Sequence, residues 1–371
     1  MKVKKIFIAS VLKPVDDVRH YHKLACSLAK AKKYQIFILG KGTQKKSPDK
    51  SITFYPTGNF SRKSIRRLLV QIHFLYRLIR LQPTLLIICT PELLPIAAIM
   101  KAFLGFPIIY DVQENYGRNI NHQKEYTSFS KFLLRPLAGL LEKLSTSTVD
   151  HFLLAEQAYQ KELKLEPDET TILENKSLPP IHVPTFKEWS KSKPLKMLFS
   201  GSISEYSGVL NAIELFDAIS QIHKKSELLI IGSYQDRNLA NQLFDYANGC
   251  KDITLNIQHH SVDHQYILQA IEASDLGIIG YQPNEVNASR IPTKLFEYSG
   301  HGLPYLLHDH PYWVNRANVL GGAIVVNFEN FDPADLLERL ENLQSWELSR
   351  SHWTQEEIIF KSLTEKLINA Y

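Results

Sequence analysis

Short aliphatic and β-branched runs recur along the chain, separated by longer stretches of helical character. KIFIA from Lys5, YQIFIL from Tyr34, TLLII from Thr84, PIIYD from Pro107 and HFLLA from His151 form a first series. Such alternation predicts right-handed βαβ units that build a parallel sheet. The pattern breaks over residues 176–196, KSLPPIHVPTFKEWSKSKPLK, whose four prolines and five lysines read as a linker. A second series follows: KMLFS from Lys196, ELLIIG from Glu227, DITLN from Asp252, DLGIIGY from Asp275, LPYLL from Leu303 and AIVVNF from Ala323. The chain therefore reads as α/β, with two Rossmann-like, doubly wound parallel-sheet domains over residues 1–180 and 196–352. Residues 181–195 link them, and a helical stretch over 353–371 returns to the first domain. Two such domains facing one another predict a cleft at the carboxyl ends of their strands, where open α/β sheets take ligands.

At 371 residues the chain exceeds the size of one ordinary core, in keeping with two domains. Hydrophobic residues at 44% and charged residues at 22% exclude a disordered, collagen-like or disulfide-scaffold protein. Cys26, Cys89 and Cys250 are widely spaced and unpaired in pattern, which supports neither a disulfide framework nor a zinc cluster and points to a reducing cytosol. Charges interrupt every apolar stretch below the length of a membrane span. The opening MKVKKIFIASVLKP imitates a signal peptide but reads as a first strand, because its apolar core runs straight into Lys13 and Pro14.

Charge is distributed unevenly. Residues 1–150 carry 25 Lys and Arg against 9 Asp and Glu, whereas residues 201–371 carry 11 against 22. The basic half is suited to an anionic partner: a phospholipid surface, a pyrophosphate-linked substrate or nucleic acid. No nucleic-acid motif accompanies the charge, which disfavours the last. There is likewise no GxGxxG and no P-loop of the dehydrogenase or ATPase kind.

Two segments carry candidate chemistry. In NASRIPTKLFEYSGHGLP, from Asn287, Pro292 suits a first helical turn, so Thr293 and its neighbours offer unpaired N–H groups to a phosphate. Lys294 and Glu297 are three apart and share a face, either as part of a binding site or as an ordinary helix salt bridge. GSISEYSGVLNAIELF, from Gly201, reads as a strand, a small-residue loop and a helix beginning near Gly208, where backbone approach and an anion are both permitted.

In this order the segments resemble the GT-B glycosyltransferases, in particular the large retaining family, glycosyltransferase family 4-like, that includes many bacterial surface-polysaccharide and lipopolysaccharide transferases. The resemblance covers nearly the whole chain. VLKPVDDVRHYHKLACSLAKA is similar to the family's first loop and helix, with Asp16, Asp17, Arg19 and Lys23 in matching places, and CTPELLPIAAIMKAFLGFPIIYDVQEN resembles its "pELLP" and "yDvHE" segment. PTKLFEYSGHGLP is similar to the donor-site helix "PtKlfEYmaxGkP". The resemblance implies transfer of a sugar from a nucleoside-diphosphate donor to a glycan or lipid-linked acceptor, with retention and with neither cofactor nor metal.

By that resemblance Glu297 holds the nucleotide ribose, and Gly201, Ser202, Ser207, Gly208, Pro292, Thr293 and Lys294 complete the donor site. Four positions depart from the family. Ser202 and Ser207 stand for its arginine and lysine, Ser289 for its first donor-site glutamate, and Gln113 for the histidine of "DvHE". A leaving diphosphate needs fixed positive charge, which leaves Arg290 and Lys294 as the candidate catalytic cations. In the basic domain Asp16, Arg19, Lys23 and Gln113 are expected to bind the acceptor. Asp17, and Asp111 or Glu114 after the strand PIIYD, are the carboxylates expected to orient its hydroxyl or take its proton, with no choice among them made by the sequence. A noncatalytic scaffold partnering an active transferase, or a nucleotide-sugar epimerase, are the alternative readings.

Over RKSIRRLLVQIHFLYRLIR, residues 62–80, a projection at 100° per residue gathers Arg62, Lys63, Arg66, His73, Arg77 and Arg80 opposite Leu68, Ile72, Leu75 and Ile79. The expectation is a helix that packs its apolar face on the sheet and adsorbs weakly by charge to an anionic membrane. That places the protein in the cytoplasm, peripheral at the inner face of the cell membrane.

Overall fold

In a computed structural model the protein is described at every residue except 1–2, 44–45, 62–63, 114–145, 181–184, 261 and 285–286. The chain divides into two compact units: Met1–Asn175 with Trp353–Tyr371, and Lys176–His352.

The first unit is a seven-stranded parallel sheet in the order β3-β2-β1-β4-β5-β6-β7. Its strands are β1 (Lys4–Pro14), β2 (Tyr34–Lys41), β3 (Ile52–Pro56), β4 (Leu85–Ile88), β5 (Ile108–Val112), β6 (His151–Leu154) and β7 (Thr170–Ile172). β1, β4 and β5 are apolar along most of their length because helices cover both faces of the sheet. The direction of winding reverses beside β1, which pairs with β2 on one side and β4 on the other. Beyond β1 the chain enters a π-helical stretch, Val18–Ala25, that runs into α1 (Cys26–Ala29). The carboxylate of Asp17 starts this stretch by accepting from the backbone N–H groups of Arg19 (2.9 Å) and His20 (3.1 Å). α2 (Arg66–Leu81), α3 (Leu94–Leu104) and α4 (Ala158–Leu163) follow.

The packing of α2 differs from expectation. Val70, Phe74, Leu78 and Leu81 are the residues it buries, with Phe74 stacked on Phe7 at 5.7 Å, whereas Leu68, Ile72 and Ile79 are exposed. The helix carries two apolar stripes, and the one containing the phenylalanine fills the sheet face. Arg62 and Lys63 lie outside the described residues.

The terminal helix, Thr354–Ala370, belongs to the first unit. Trp353, Phe360 and Ile368 are buried, and the Trp353 indole donates to Ser27 Oγ at 3.1 Å.

The second unit is a six-stranded parallel sheet, β10-β9-β8-β11-β12-β13, comprising β8 (Leu195–Ile203), β9 (Ser226–Tyr234), β10 (Ile253–Gln258), β11 (Leu276–Ile279), β12 (Tyr305–His308) and β13 (Ala323–Val326). Its helices are α5 (Val209–Ile222), α6 (Arg237–Asn248), α7 (His264–Ala273), α8 (Thr293–Gly300), α9 (Pro311–Leu320) and α10 (Pro333–Glu341). Alternate residues of β8 feed opposite cores: Met197 and Phe199 pack with Leu215 and Phe216, and Leu198 packs with Tyr298 and Trp313. Winding reverses beside β8, which pairs with both β9 and β11.

Outside residues 181–184, the proline- and lysine-rich stretch groups with the second unit. The chain joins the second unit from Lys176 onward, and Trp189 is buried in its core with the indole donating to Pro194 O at 3.0 Å. The Lys187 ammonium donates to the carbonyls of Ile271 and Ser274, at 3.3 and 3.0 Å, at the C-terminal end of α7. A cation there meets the negative end of the helix dipole. Among the described residues no helix is long and apolar enough to cross a membrane.

Candidate functional site

In the second unit the carboxyl ends of β8, β9 and β11 meet through glycines. Gly201 has φ +116°, and Gly208 has φ +78°. A Cβ on Gly208 would stand 1.8 Å from Gly280 O, and one on Gly232 would stand 1.8 Å from Gly201 O. Neither position accepts a side chain without moving backbone. Asn211 Nδ2 donates to Gly280 O at 3.1 Å and ties the β8–α5 turn to β11.

Within that turn Ser204 and Ser207 cap one another. Ser207 N donates to Ser204 Oγ at 3.1 Å, Ser204 N to Ser207 Oγ at 3.0 Å, and Ser207 Oγ to Ser204 O at 2.7 Å. Ser207 is buried, and its hydroxyl is committed to holding the loop; Ser202 is exposed. No side chain caps the N-terminus of α5 at Gly208 or that of α8 at Pro292, so backbone N–H groups at both starts are left to other acceptors.

α8 brings Lys294 and Glu297 beside Gly201. The Lys294 ammonium donates to Glu297 Oε2 at 2.5 Å, and His264 Nε2, from the start of α7, lies 3.1 Å from Glu297 Oε1. Lys294 is 8% exposed. Burial alone would raise the Glu297 carboxyl, but Lys294 and His264 hold it well below the usual carboxylate range. Tyr298, the next residue, anchors the helix through a 2.8 Å hydrogen bond with Ser200 Oγ, its ring filling the space beside Gly277. Thr293 is exposed and Pro292 half-buried at the mouth of this helix. Arg290 precedes it, its carbonyl accepting from the Trp313 indole at 2.7 Å.

Sequence reading found Lys294 and Glu297 through their spacing. It missed His264, which lies on another helix 33 residues away and carries no local signal.

In the first unit two of the residues read as acceptor ligands, Arg19 and Lys23, are buried. Arg19 Nε and Nη2 donate to Asp111 at 2.7 to 3.0 Å, and Nη1 donates to Leu173 O and Asn175 Oδ1, both at 2.8 Å. Arg19 is 4% exposed and Asp111 0%. The Arg19 guanidinium is therefore spent on joining the π-helical stretch after β1 to β5 and to the segment after β7. Lys23 is buried too, its ammonium 5.6 Å from the centre of the Trp353 ring, and Asp16 is half-buried.

Gln113 Nε2 donates to Asp111 Oδ2 at 2.8 Å and lies 2.6 Å from His20 Nε2. For that contact to be a hydrogen bond His20 Nε2 accepts, so the imidazole is neutral with its proton on Nδ1. Burial lowers the His20 pKa against the pull of Asp17 and Asp111. Glu114 lies outside the described residues.

His20, Cys89 and Asp111 offer ligand atoms within 4.8 Å of one another. Both Asp111 oxygens already accept from Arg19 or Gln113, and burial pushes the Cys89 thiol far up. The carboxylate of this set is engaged in the ion pair with Arg19.

No family model and no curated protein matches the sequence. Solved structures do match over the full length. Sucrose-phosphate synthase from Thermosynechococcus elongatus superposes with a TM-score of 0.66 at 15% identity, covering 99% of this chain and 100% of that one. HepE from Anabaena in complex with UDP-glucose gives 0.62 at 11% identity, over 98% and 99% of the two chains. WaaG, a glycosyltransferase involved in lipopolysaccharide biosynthesis, gives 0.59 at 15% identity, over 99% of each. Two parallel sheets wound in this order, with glycine turns at the reversal of the second, give the chain the GT-B fold of these glycosyltransferases.

Proposed function

We propose that the protein is a glycosyltransferase that moves a sugar from a nucleoside-diphosphate donor, bound by the second unit, to a glycan or lipid-linked acceptor bound by the first. The observation that carries this reading is the Lys294–Glu297–His264 cluster packed against the Gly201 turn. Glu297, ionised, accepts hydrogen bonds from ribose hydroxyls. The open N-terminal turns of α5 and α8 meet the diphosphate, with Lys294 and Arg290 as the nearby cations, so that charge developing on the leaving group is stabilised without a divalent ion. In the reaction the bond from the anomeric carbon to the diphosphate oxygen breaks. A bond to the acceptor oxygen forms with retained configuration, and the acceptor proton passes to the leaving phosphate or to Asp17 or Glu114. HepE bound to UDP-glucose supports a uridine donor, and WaaG supports a role in surface glycan assembly.

A second reading, a noncatalytic scaffold, is favoured by Ser207, whose hydroxyl is turned into its own loop where the resembling family has a cation. Thermal stabilisation by uridine, guanosine and cytidine diphosphate sugars tests donor binding, because a ligand raises stability by mass action. Release of free diphosphate with acceptor present tests turnover. Stabilisation without turnover on any acceptor would select the scaffold; no stabilisation by any donor would overturn both.

A further inference from the structure

We infer that His264 is a positioning residue of the donor site: it fixes the plane of the Glu297 carboxylate, so that the site takes the two neighbouring hydroxyls of a ribose in preference to the single one of a 2′-deoxyribose. The inference rests on the reading of Glu297 as the ribose ligand. Lys294 and Glu297 share a face of α8, and the ammonium donates to Oε2 at 2.5 Å. One bond from the same helix leaves the terminal torsion of a glutamate, which is broad and two-fold, underdetermined. His264 adds a second bond from a different element. Its Nε2 lies 3.1 Å from Oε1. The Glu297 carboxyl is held well below the usual carboxylate range, and an ionised carboxylate only accepts, so the imidazole is the donor.

α7 holds the imidazole in turn. His264 is its first residue, and Asp263 caps that start by accepting from Gln265 N at 3.0 Å. Ile267 and Ile271 of α7 are buried in the same core as Leu295, Phe296 and Tyr298 of α8. Close packing of two helices in one core therefore sets the distance between His264 and Glu297. Both side chains still reach solvent, at 28% and 14% exposure, so a ligand has access to the pair. A carboxylate offers about four lone-pair sites. Lys294 occupies one on Oε2 and His264 one on Oε1, which leaves an acceptor site on each oxygen, both in the fixed plane. Vicinal hydroxyls fill the two together. A lone hydroxyl leaves one desolvated and unpaired, which is how a site built to bind a hydroxyl rejects the analogue that lacks it.

The test is calorimetric titration of UDP, GDP and CDP, each beside its 2′-deoxy counterpart, into wild type, His264→Ala and His264→Gln. Wild type is expected to bind at least one ribonucleotide, and to bind it about tenfold or more tightly than the deoxy form, the factor for losing a hydrogen bond to a charged group. His264→Ala is expected to weaken the ribonucleotide about tenfold and the deoxynucleotide less, so that the preference shrinks to about threefold or below. His264→Gln, whose amide keeps an N–H donor in reach of Oε1, is expected to restore most of it. The preference is a ratio within one protein, so a general loosening that weakens both nucleotides equally leaves it unmoved. His264→Asn, with a shorter amide, replaces the alanine variant if that one does not fold. Three results would overturn the positioning role while leaving donor binding in place: a wild type indifferent to the 2′-hydroxyl, an unchanged preference in His264→Ala, or a glutamine variant as impaired as the alanine one. A wild type that binds none of the nucleotides would overturn the donor-site reading itself, and this inference with it.

Discussion

The Lys294 side chain crosses Gly201 so closely that its Cε lies 3.1 Å from where a Cβ on that glycine would stand. Gly201 also has φ +116°, which only glycine adopts without strain. Gly201→Ala is therefore expected to displace Lys294 and to cost about 1–3 kcal/mol of stability. Calorimetric titration with the donor that stabilises wild type should show at least a tenfold weaker complex. An alanine variant that melts and binds as wild type would dissociate this turn from the donor site.

Glu297→Ala is expected to weaken donor binding by about 1 to 3 kcal/mol, the range for losing hydrogen bonds to a charged group. Equal affinity of the two proteins would remove Glu297 from the site.

The same carboxylate shapes acid stability. Its folded pKa is depressed, so its contribution is fully present above the unfolded value near pH 4.3 and is lost as pH falls below that toward the folded value. Glu297→Gln should flatten the acid limb of a stability profile below about pH 4.5 while leaving its slope near neutrality unchanged. Denaturant melts at a series of pH values decide it, and parallel acid limbs would argue against an ionised Glu297.

Arg19→Met should destabilise the first unit by about 3–5 kcal/mol, because it strands the Asp111 charge in a site with no exposure. Arg19→Met/Asp111→Leu is expected to recover much of the loss, since no charge is then left unpaired. A double variant no more stable than the single one would show that the pair is not the source of the cost.

Turnover, once a donor and acceptor are found, is expected to survive excess EDTA. The chemistry assigned to the leaving diphosphate uses Lys294, Arg290 and backbone N–H groups. Loss with chelator and recovery with magnesium or manganese would contradict it.

The doubly wound architecture was legible because strands buried on both faces announce themselves as continuous apolar runs. The short strands β3 and β7, ITFYP and TTI, did not, since little of either is buried. Lys294 and Glu297 were legible because helix geometry makes partners of residues three apart. His264 and the Arg19–Asp111 pair were not, because contacts across 33 and 92 positions leave no trace in local spacing. For α2 the projection identified the amphipathic character but chose the wrong stripe. Two apolar arcs on one helix are equivalent by period, and only the fit of Phe74 against Phe7 separates them.

The first unit is sewn from both ends of the chain, Met1–Asn175 and Trp353–Tyr371, around an uninterrupted second unit. During synthesis the residues that complete the first sheet's packing emerge only after the whole of Lys176–His352 has been made. At roughly 5–20 residues per second that delay is on the order of 10 s or more. The second unit can close as soon as it clears the ribosome, whereas the first waits, with Ser27 and its neighbours lacking the Trp353 cover they have in the finished protein. The packing of the first unit is thus expected to be completed only after the second unit has been translated.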